Sequence, residues 1–413
     1  RPFDLVNGPL MRVTLLHVEA EHHVLVITQH HIISDGGSMQ VMVDELLALY
    51  QGQAPLPALP LHYADYAQWQ REWMAAGEKQ RQLDYWCARL GSEHPLLELP
   101  LDHPRPALQS HRGARRQLHL DAALVAELKA LAQRQDVTLF MLLLAGWQTL
   151  LHRYTGQRDI RVGVPNANRP RLEIQGLVGF FINTQVLCAR LEPRAPFSEL
   201  LAQVRQATLD AQANQDLPFE QLVEAFPQAR EQGLFQVMFN HQQRDLSALR
   251  RLPGLLAEEL AWHSREAKFD LQLHSEEDHL GRLSLAFDYA AELFEASTVE
   301  RLAHHLLALL EQVCAAPQQA LGDVQLLDEP GRAQLLGWGQ APAAAAQHLL
   351  VEQLNEQARL TPQRTALVWD GGSLDYAGLH QQANRLAHYL RDKGVGPDTC
   401  VAIAIERSPQ LLV

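Results

Sequence analysis

Alternating hydrophobic and polar positions in the first 50 residues predict two strands followed by a helix. Residues 11–18 (MRVTLLHV) and 23–29 (HVLVITQ) have the pattern and the β-branched content of strands. Residues 38–50 (SMQVMVDELLALY) carry apolar side chains at helical spacing, with Ser38 as the predicted N-cap. The stretch ITQHHIISDGGS at 27–38 therefore leads from a strand into a helix.

Strand and helix patterns remain mixed further along the chain, with proline-rich loops between them. Residues 51–69 and 96–106 contain several prolines and are predicted to be surface loops. A helix is predicted at 121–134 and another from Thr138 to about Tyr154. The other predicted elements are strands at 159–165, 185–191, 234–240, 268–274 and 282–288, and a helix that opens with a capping box of Ser297 and Glu300. This mixture predicts an α/β (α+β) fold.

A change of composition after residue 325 indicates a domain boundary. Residues 326–345 combine turn formers and small residues with little periodicity, so we expect a short linker there. The following unit contains a helix around LVEQLNEQARLTP, a strand pair in TALVWDGGSLDY and a second amphipathic helix. The predicted domains are therefore 1–325 and 346–413.

The composition is that of a globular cytoplasmic protein. Of 413 residues, 47% are hydrophobic and 20% are charged, which is enough apolar material for two or three domains. The net charge of −13 argues against nucleic acid or an anionic membrane as a partner, because no basic cluster could neutralise phosphates. Four widely spaced cysteines without a CxxC motif imply neither a zinc cage nor a disulfide framework. The sequence has no apolar run long enough to span a bilayer and no signal-peptide layout.

Neither end of the sequence has the pattern of a natural terminus. Residue 1 is Arg1 rather than methionine, and a strand pattern already occupies residues 11–18. The final VAIAIERSPQLLV stops within a strand-and-helix pattern. We therefore expect the chain to be a piece of a longer protein.

The loop HHIISDGG carries the residues best suited to chemistry. A histidine at a strand end, followed by glycines that open a helix, brings an imidazole close to free backbone N–H groups, which together can manage a proton and a developing oxyanion. This combination suits acyl transfer. Adjacent strand residues point to opposite faces, so His30 and His31 cannot both face one substrate, and one of them has a structural role. Asp35 is placed to fix the loop by pairing with an arginine or by capping local N–H groups.

Two other interpretations of this loop stay open on these residues alone. A His–His pair beside an Asp–Gly turn is often incidental, because loop histidines and such turns are common. A metal site is the weaker alternative. His22, His23, His30, His31 and Asp35 are possible ligands, but zinc needs three or four convergent donors and strand alternation scatters these side chains. No metal site is therefore expected.

Five stretches, in order along the chain, resemble the core motifs of the condensation domains of nonribosomal peptide synthetases. HHIISDG at 30–36 resembles the HHxxxDG signature, and YADYAQW at 63–69 resembles the YxDYAxW motif. VGFFINTQ at 178–185 is similar to the GFFVNT motif, and NQDLPFEQLV at 214–223 to the HQDxPFE motif. LFQVMFN at 234–240 is similar to the block that follows them.

This resemblance covers residues 1 to about 325, and residues from about 346 resemble the opening of an adenylation domain. It implies two chloramphenicol-acetyltransferase-like lobes that form a V with a tunnel between them, followed by the N-terminal fragment of an adenylate-forming domain. The family's upstream arginine-rich motif is absent, so most of the N-terminal lobe is expected to be missing and the isolated chain to be inactive. The adenylation part ends before any Gly-rich phosphate loop.

The activity implied by the resemblance is that of an amide-bond-forming acyltransferase. Such a domain condenses an upstream aminoacyl or peptidyl thioester with the amine of a downstream aminoacyl thioester, each held on the phosphopantetheine of a carrier domain. The implied partners are the upstream and downstream peptidyl carrier domains and the adjacent adenylation domain. Phosphopantetheine belongs to those carriers, and ATP and Mg serve only a complete adenylation domain.

The resemblance also assigns roles to individual residues. His31 matches the family's second histidine, which accepts the amine proton or holds the amine by a hydrogen bond. Gly36 would offer its backbone N–H to the oxyanion, and Asp35 would be an ionic strut, with Arg169 of NANRP as its predicted partner. Together with His30, the loop residues His31, Asp35 and Gly36 form the predicted catalytic set. The later motifs predict structural support from Asn183, Gln215, Asp216 and Pro218.

The subtype and two alternatives stay open at this point. Family members often have Trp after the DG, and Gly37 stands here instead, which leaves the shape of the acceptor pocket open. NTQVL and LFQVMFN favour the subtype that accepts a D-configured donor. A non-catalytic relative that only recruits partners is one alternative, against which the intact His31, Asp35 and Gly36 argue. An epimerisation domain is the other, and an adenylation-like segment directly downstream argues against it.

Overall fold

The structure is a computed structural model that describes residues 2–52, 55–229, 233–244, 249, 252–260, 265–340 and 349–413. These residues form two compact units, a larger one at Arg1–Gly331 and a smaller one at Arg332–Val413.

The helices and strands follow the mixed order that the hydrophobic pattern predicts. The strands are β1 (Met11–Glu19), β2 (His22–Gln29), β3 (Gly113–His119), β4 (Asp159–Asn166), β5 (Asn183–Arg190), β6 (Val237–Arg244), β7 (Leu271–Asp278), β8 (Leu283–Ala290), β9 (Thr365–Trp369) and β10 (Gly372–Asp375). The helices are α1 (Gly36–Tyr50), α2 (Tyr63–Trp73), α3 (Lys79–Leu90), α4 (Ala122–Arg134), α5 (Leu139–Thr155), α6 (Leu172–Gln175), α7 (Phe197–Gln212), α8 (Phe219–Glu224), α9 (Ala296–Ala315), α10 (Glu329–Gly339), α11 (Leu350–Leu360) and α12 (Tyr376–Asp392).

Within the described part of the larger unit, six strands form one sheet in the order β3-β8-β7-β6-β4-β5. The β4–β6 and β6–β7 pairs are parallel, and the other neighbours are antiparallel. Strands β6 and β7 begin later than predicted, at Val237 and Leu271. For β6 the reason is that Leu234 and Phe235 are buried in the core before the ladder begins, so the apolar pattern is longer than the strand.

One face of this sheet carries the main hydrophobic core. Along β7 the buried residues Leu271, Leu273 and Ser275 alternate with the less buried Gln272 and His274. The buried leucines belong to the same cluster as the apolar faces of α4, α5 and α9, and burial of such side chains is the main stabilising term in folding. Because successive strand residues point to opposite faces, the polar set of β7 lies on the other face, away from this core.

Helix α5 is buried over most of its length, as its continuous apolar sequence predicts. Its N-cap is Thr138, whose hydroxyl accepts a hydrogen bond from the N–H of Met141 at 3.2 Å. A Cβ at Gly146 would lie 2.9 Å from a methyl carbon of Leu310 in α9. Glycine at this position therefore lets α5 and α9 pack closely.

The predicted N-cap of the first helix is wrong. Helix α1 begins at Gly36, and its N-cap is Asp35, which accepts a hydrogen bond from the N–H of Ser38 at 2.8 Å. Ser38 therefore lies in the first turn rather than before it. Aspartate and serine are both strong N-cap residues, so the pattern alone could not decide between them.

The capping box predicted for α9 is also wrong. The helix begins at Ala296 with Glu295 as N-cap, and the N-cap side chain makes no capping bond. Ser297 lies inside the helix, and the Glu300 carboxylate pairs instead with Arg116 of β3. Glu300 therefore forms an ion pair with a residue of a distant strand instead of the predicted capping-box bond.

Strands β1 and β2 form a separate two-stranded antiparallel sheet within the described residues. Apolar side chains of β1 remain exposed, with Val13 at 55% and Leu15 at 64%. Exposed strands of this kind are prone to edge-to-edge association.

The smaller unit contains the predicted strand pair and two amphipathic helices. Strands β9 and β10 pair antiparallel, and Asp375 caps α12 by accepting from the N–H of Gly378 at 2.7 Å. The strand predicted within VAIAIERSPQLLV is absent: residues 401–406 pair with no strand in the described part of the chain. A strand requires a ladder partner, whatever its own pattern.

Helix α10 lies within the predicted linker at 326–345, whose residues 341–345 fall outside the described part. The predicted domain limits remain predictions. Among the described residues, no helix is both long enough and apolar enough to cross a membrane.

Candidate active site

The HHIISDGG loop ends strand β2 and turns into helix α1 through a short 3-10 turn at His31–Ile33. The N–H of His30 still bonds to the carbonyl of Leu10 at 2.9 Å, so His30 is tied to the residue that precedes β1. Its ring nitrogen Nδ1 accepts from the N–H of Ile32 at 3.1 Å, and its ring packs edge-on against Phe3. His30 is not among the described residues that line the cleft. The structure therefore gives its side chain a role in the turn.

His31 lines a cleft of about 830 Å³ in the larger unit. Its Nδ1 lies 2.6 Å from the carbonyl oxygen of Ser34. Because a carbonyl oxygen only accepts, Nδ1 must carry the hydrogen, and the neutral imidazole then has its lone pair on Nε2. The ring also packs edge-on against Phe180, with centroids 5.1 Å apart. Two contacts thus hold an exposed imidazole in the tautomer that a proton acceptor needs.

Asp35 is buried beneath this loop and accepts four hydrogen bonds. Its Oδ1 accepts from the N–H of Ser38 (2.8 Å), the hydroxyl of Ser38 (2.8 Å) and Nη2 of Arg169 (3.0 Å). Its Oδ2 accepts from the N–H of Phe181 at 2.9 Å. Burial acts to raise the pKa of Asp35, but these hydrogen bonds and the charge of Arg169 outweigh it and hold the pKa below its usual value. The residue is therefore an anion that ties loop segments together.

Arg169, the predicted partner, pairs with Asp35 from a buried position. Its Nη1 donates to the carbonyls of Ile174 (2.9 Å) and Leu177 (2.7 Å), and its guanidinium carbon lies 4.1 Å from the centroid of the Phe181 ring. The guanidinium thus joins the loop before α6 to the one after it.

Gly37, which departs from the family pattern, lies against the same arginine. A Cβ at Gly37 would be 3.0 Å from Nε of Arg169, tighter than an ordinary contact. Glycine therefore leaves room for the guanidinium beside the first turn of α1.

Ser38 was missed as a site residue by the sequence analysis. It is fully buried, and its hydroxyl oxygen accepts from the N–H of Gly179 at 3.0 Å and from Nη2 of Arg169 at 2.8 Å. Its position three residues after Asp35 is a signal for a local cap bond. The contact with Gly179 joins residues 141 positions apart, and no local pattern could predict it.

Two of the family-like motifs interlock beside this strut. The hydroxyl of Tyr63 donates to the carbonyl of Phe180 at 2.7 Å. A Cβ at Gly179 would lie 2.1 Å from the Tyr63 ring, so only glycine allows this approach. Tyr66 packs against Phe181, with ring centroids 4.8 Å apart. The YADYAQW helix is therefore locked to the VGFFINTQ segment by both packing and hydrogen bonding.

Asn183 fixes the loop that carries the NQDLPFE motif. Its Nδ2 donates to the carbonyls of Gln215 (2.8 Å) and Leu217 (2.7 Å), and its Oδ1 accepts from the N–H of Phe219 at 3.0 Å. Gln215 in turn accepts from Nδ2 of Asn166 at 2.7 Å, and Pro218 is the N-cap of α8. Asn183 and Pro218 also line the cleft, whereas Gln215 is not among the described residues that do so.

Asp216 lines the cleft, and its pKa is shifted in the opposite direction from that of Asp35. Burial raises its pKa and the nearby Glu78 adds to this effect, although a hydrogen bond with Gln82 opposes it. Burial, reinforced by the charge of Asp216, also raises the pKa of Tyr66 to about 12. A negative charge is therefore less stable on this side of the cleft than at Asp35, where Arg169 stabilises it.

Polar residues of the sheet complete the cleft and were also missed by the sequence analysis. Asn240 of β6, Gln272 and His274 of β7 and Asp288 of β8 all line it. Nε2 of His274 lies 3.1 Å from Oδ2 of Asp288, which also binds Arg115 of β3. Strand alternation places Gln272 and His274 on one face, but their neighbours follow only from the strand register.

Comparison with known proteins identifies the larger unit and the segment after it. Residues 1–336 match the family described as Condensation domain. The chain belongs to the condensation-domain family of the nonribosomal peptide synthetases. Residues 354–413 match the family described as AMP-binding enzyme, so the start of an adenylate-forming domain follows the condensation domain. The predicted family and fold class are confirmed.

The curated relatives are far longer than this condensation-domain chain. One linear gramicidin synthase of Brevibacillus parabrevis is 44% identical over 428 residues, which cover 100% of the chain and 8% of the relative. Malpinin synthetase of Mortierella alpina is 40% identical over 424 residues, which cover 100% of the chain and 5% of the relative. The chain thus spans less than a tenth of the length of these two relatives.

Solved structures show the same fold. A four-domain nonribosomal peptide synthetase bound to AMP and glycine matches with a TM-score of 0.79 and 22% identity, covering 96% of this chain and 31% of that chain. The X-domain from teicoplanin biosynthesis matches with a TM-score of 0.70 and 29% identity, covering 79% of this chain and 77% of that one.

Among the residues that the structure describes, no group of three or more His, Cys, Asp or Glu side chains could hold a metal ion. In the smaller unit, Gly371 and Gly372 lie at the hairpin between β9 and β10 rather than in a loop that opens a helix.

Proposed function

We propose that this condensation domain forms an amide bond between two carrier-bound thioesters. The observation that carries the proposal is that His31 lines the cleft, with Nδ1 held by the carbonyl of Ser34 and with no hydrogen-bond partner for Nε2 among the described residues. An uncharged imidazole with one free lone pair can accept a hydrogen bond or a proton from an attacking amine. The α-amino group has a pKa near 8, so such an exchange is possible near neutral pH.

The reaction proposed needs alignment more than strong acid–base catalysis. The acceptor amine attacks the thioester carbonyl of the donor; a C–N bond forms, the C–S bond breaks, and the phosphopantetheine thiolate leaves. The amine loses a proton to Nε2 of His31, which can return it to the thiolate. Holding the two carrier arms in one cleft supplies the proximity on which the rate depends.

The proposed binding site for the oxyanion is the N-terminus of α1. Gly36 lines the cleft as the first residue of this helix, and its N–H has no backbone acceptor among the described residues. Helix N-termini favour negative charge. A preorganised N–H donor aimed at the developing oxyanion stabilises the transition state and so lowers the activation barrier. Asp35 and Arg169 do not line the cleft, so their proposed role is to hold this turn in place.

The proposed partners are an upstream and a downstream peptidyl carrier domain, each bearing phosphopantetheine, and the adjacent adenylation domain, which would need ATP and Mg when complete. The relatives are large synthases and synthetases, and the matched AMP-binding segment directly follows the condensation domain. That order also favours condensation over the epimerisation alternative. No nucleic acid or membrane partner is proposed, and the proposed location is the cytoplasm.

A partner-recruiting module is the second candidate. Its support is the similarity to the X-domain, one structure of which is a complex with OxyB. The retained His31, with its free lone pair, favours catalysis instead.

The test is dipeptidyl thioester formation by the synthetase that carries this sequence, with carriers loaded from synthetic aminoacyl-CoA so that adenylation is bypassed. Product on the acceptor carrier is expected. A preference for D-configured over L-configured donors would support the D-donor subtype. Tight carrier binding without product, from fully loaded carriers, would overturn the proposal in favour of recruitment.

A further inference from the structure

Four polar residues on three neighbouring strands lie on the face of the sheet opposite the hydrophobic core. In the strand register, Asn240 of β6 stands beside His274 of β7, and Gln272 of β7 stands beside Asp288 of β8. All four line the same cleft as His31, and we call them the floor row. The opposite face of the same strands is the hydrophobic core, so the floor row is the polar side of a two-faced sheet.

Asp288 fixes the hydrogen position on His274. Burial acts to raise the pKa of Asp288. Hydrogen bonds from Arg115 and His274, with the charges of the guanidinium and of the imidazolium present at the acidic pH where Asp288 titrates, outweigh burial and lower the pKa to about 2. The ionised carboxylate can only accept, so Nε2 of His274 must carry the hydrogen that points to Oδ2, 3.1 Å away. In the neutral ring the lone pair is then on Nδ1.

The floor row keeps unused hydrogen-bonding capacity. Nδ1 of His274 and the side-chain amides of Asn240 and Gln272 make no hydrogen bond with the described part of the chain. His274 is 27% exposed, which leaves it accessible from the cleft. Water can satisfy these groups in the free protein, but a bound ligand that displaces the water must replace its hydrogen bonds.

Charge does not favour an ionic ligand at the floor row. Arg115 donates two bonds to Asp288, from Nε at 2.5 Å and from Nη2 at 2.6 Å, and so offsets its charge. Of the other charged residues that line the cleft, Lys268 and Glu266 are of opposite sign. Asp216 and Glu220 belong to the NQDLPFE segment rather than to the sheet. The groups without a hydrogen bond in the described part of the chain are two amides and Nδ1 of His274, which is an acceptor in the neutral ring, and this set matches a neutral polar ligand.

We propose that His274 is a specificity-determining residue that accepts a hydrogen bond from a neutral donor group, a hydroxyl or a carboxamide, on an aminoacyl side chain bound in the cleft. This inference rests on the proposed condensation function and names its substrate class. A hydrocarbon side chain of equal size would displace the water bound to Nδ1 and the amides without forming hydrogen bonds in its place. Sites built to hydrogen-bond a substrate reject the analogue that lacks the polar group for this reason.

The experiment compares threonyl and valyl thioesters, which have nearly the same shape, in the synthetase that carries this sequence. Carriers are loaded from synthetic aminoacyl-CoA. One arm varies the acceptor with a fixed donor, and the other varies the donor with a fixed acceptor, so the arms show which substrate reaches the floor row. In one arm we expect kcat/KM for threonine to exceed that for valine by about tenfold.

Variants separate recognition from folding. His274→Leu should remove the threonine preference while valine is still joined, and His274→Gln should restore part of it because an amide oxygen also accepts. Asp288→Asn should weaken the preference with His274 still present, since an amide no longer fixes the tautomer. His279→Leu, at an exposed position in the turn between β7 and β8, is the matched control and should keep the wild-type ratio.

The outcomes also distinguish this inference from the proposed function. Equal threonine and valine rates in both arms of the wild type, with product formed, would overturn the inference and leave condensation standing. So would a His274→Leu variant that keeps the wild-type ratio. Absence of product from every thioester pair in the wild type would instead overturn the proposed function.

Discussion

Replacing Asp35 with asparagine removes one charge from an enclosed part of the site and leaves its shape almost unchanged. Four donors converge on the carboxylate: the N–H and hydroxyl of Ser38, the N–H of Phe181 and the guanidinium of Arg169. The side chains of Asp35 and Arg169 are 3% and 9% exposed, so water has little access to replace a lost bond. An amide offers one acceptor oxygen instead of two, and its NH2 group must then face a donor.

Two separate estimates give the size of the effect. A buried donor that loses its acceptor costs about 1–3 kcal/mol, and Asp35→Asn leaves one or two such donors. Removing one partner of a buried ion pair costs about 3–5 kcal/mol. We therefore expect the free energy of unfolding of the larger unit to fall by about 3–5 kcal/mol, with a decrease in Tm on the order of 10 °C.

Urea unfolding followed by tryptophan fluorescence measures this loss, and amide hydrogen exchange at Ser38 and Phe181 locates it, because both N–H groups bond to the carboxylate. Asp136→Asn is the matched control. It makes the same chemical change in an ion pair with Arg205 in which Asp136 is 89% exposed, so the expected loss is below about 1 kcal/mol. If Asp35→Asn loses no more unfolding free energy than the control, Asp35 does not hold the loop segments together. Lost condensation at unchanged Tm would instead point to direct catalysis by Asp35.

Three further outcomes are expected. Gly179→Ala should destabilise the larger unit by about 1–3 kcal/mol in urea unfolding, because the new Cβ meets the Tyr63 ring; an unchanged midpoint would contradict that contact. The wild type should exceed Asp288→Asn in unfolding free energy by about 2 kcal/mol above about pH 5. Since the folded pKa of Asp288 is depressed to about 2, this difference should shrink as the pH falls below about 4 and vanish below about 2, whereas a constant difference would show that charge is not its source. The 413-residue chain should self-associate through its exposed β1–β2 hairpin, and Leu15→Lys should lower its association in light scattering; a monomeric wild type would contradict this.

Local patterns predicted the elements well where the chain itself provides the partner. The strands at 11–18 and 23–29, the helix opened by Thr138 and the strand at 159–165 were all predicted from periodicity and caps, and the structure contains them. The strand predicted in VAIAIERSPQLLV was wrong because strand formation depends on a ladder partner, which no local pattern reveals. The caps predicted at Ser38 and Ser297 were wrong because the helices begin earlier, with Asp35 and Glu295 as N-cap residues. The Asp35 carboxylate makes a capping bond, whereas the Glu295 side chain makes none.

The candidate site was predictable only as far as its motifs are contiguous. The HHIISDGG loop contains an imidazole, a carboxylate and a helix N-terminus in one short stretch, and these fall together in the structure. Ser38, Tyr63 and the floor row act through contacts between distant parts of the sequence or across strand register, so composition and spacing do not reveal them. Gly37 was noted as a departure, but the reason for it, the guanidinium of Arg169, required the fold.

The most direct test of the central claim is single-turnover dipeptidyl thioester formation by His31→Ala in the synthetase that carries this sequence, with both carriers preloaded. The wild type, His31→Ala, His30→Ala and the exposed-strand control His22→Ala are compared at equal carrier loading, with circular dichroism to verify folding. We expect His31→Ala to lose at least about a hundredfold in rate, because the proposed proton acceptor, the imidazole of His31, is removed from the cleft lining. His22→Ala should keep the wild-type rate. A folded His31→Ala variant that forms product at the wild-type rate would contradict the account.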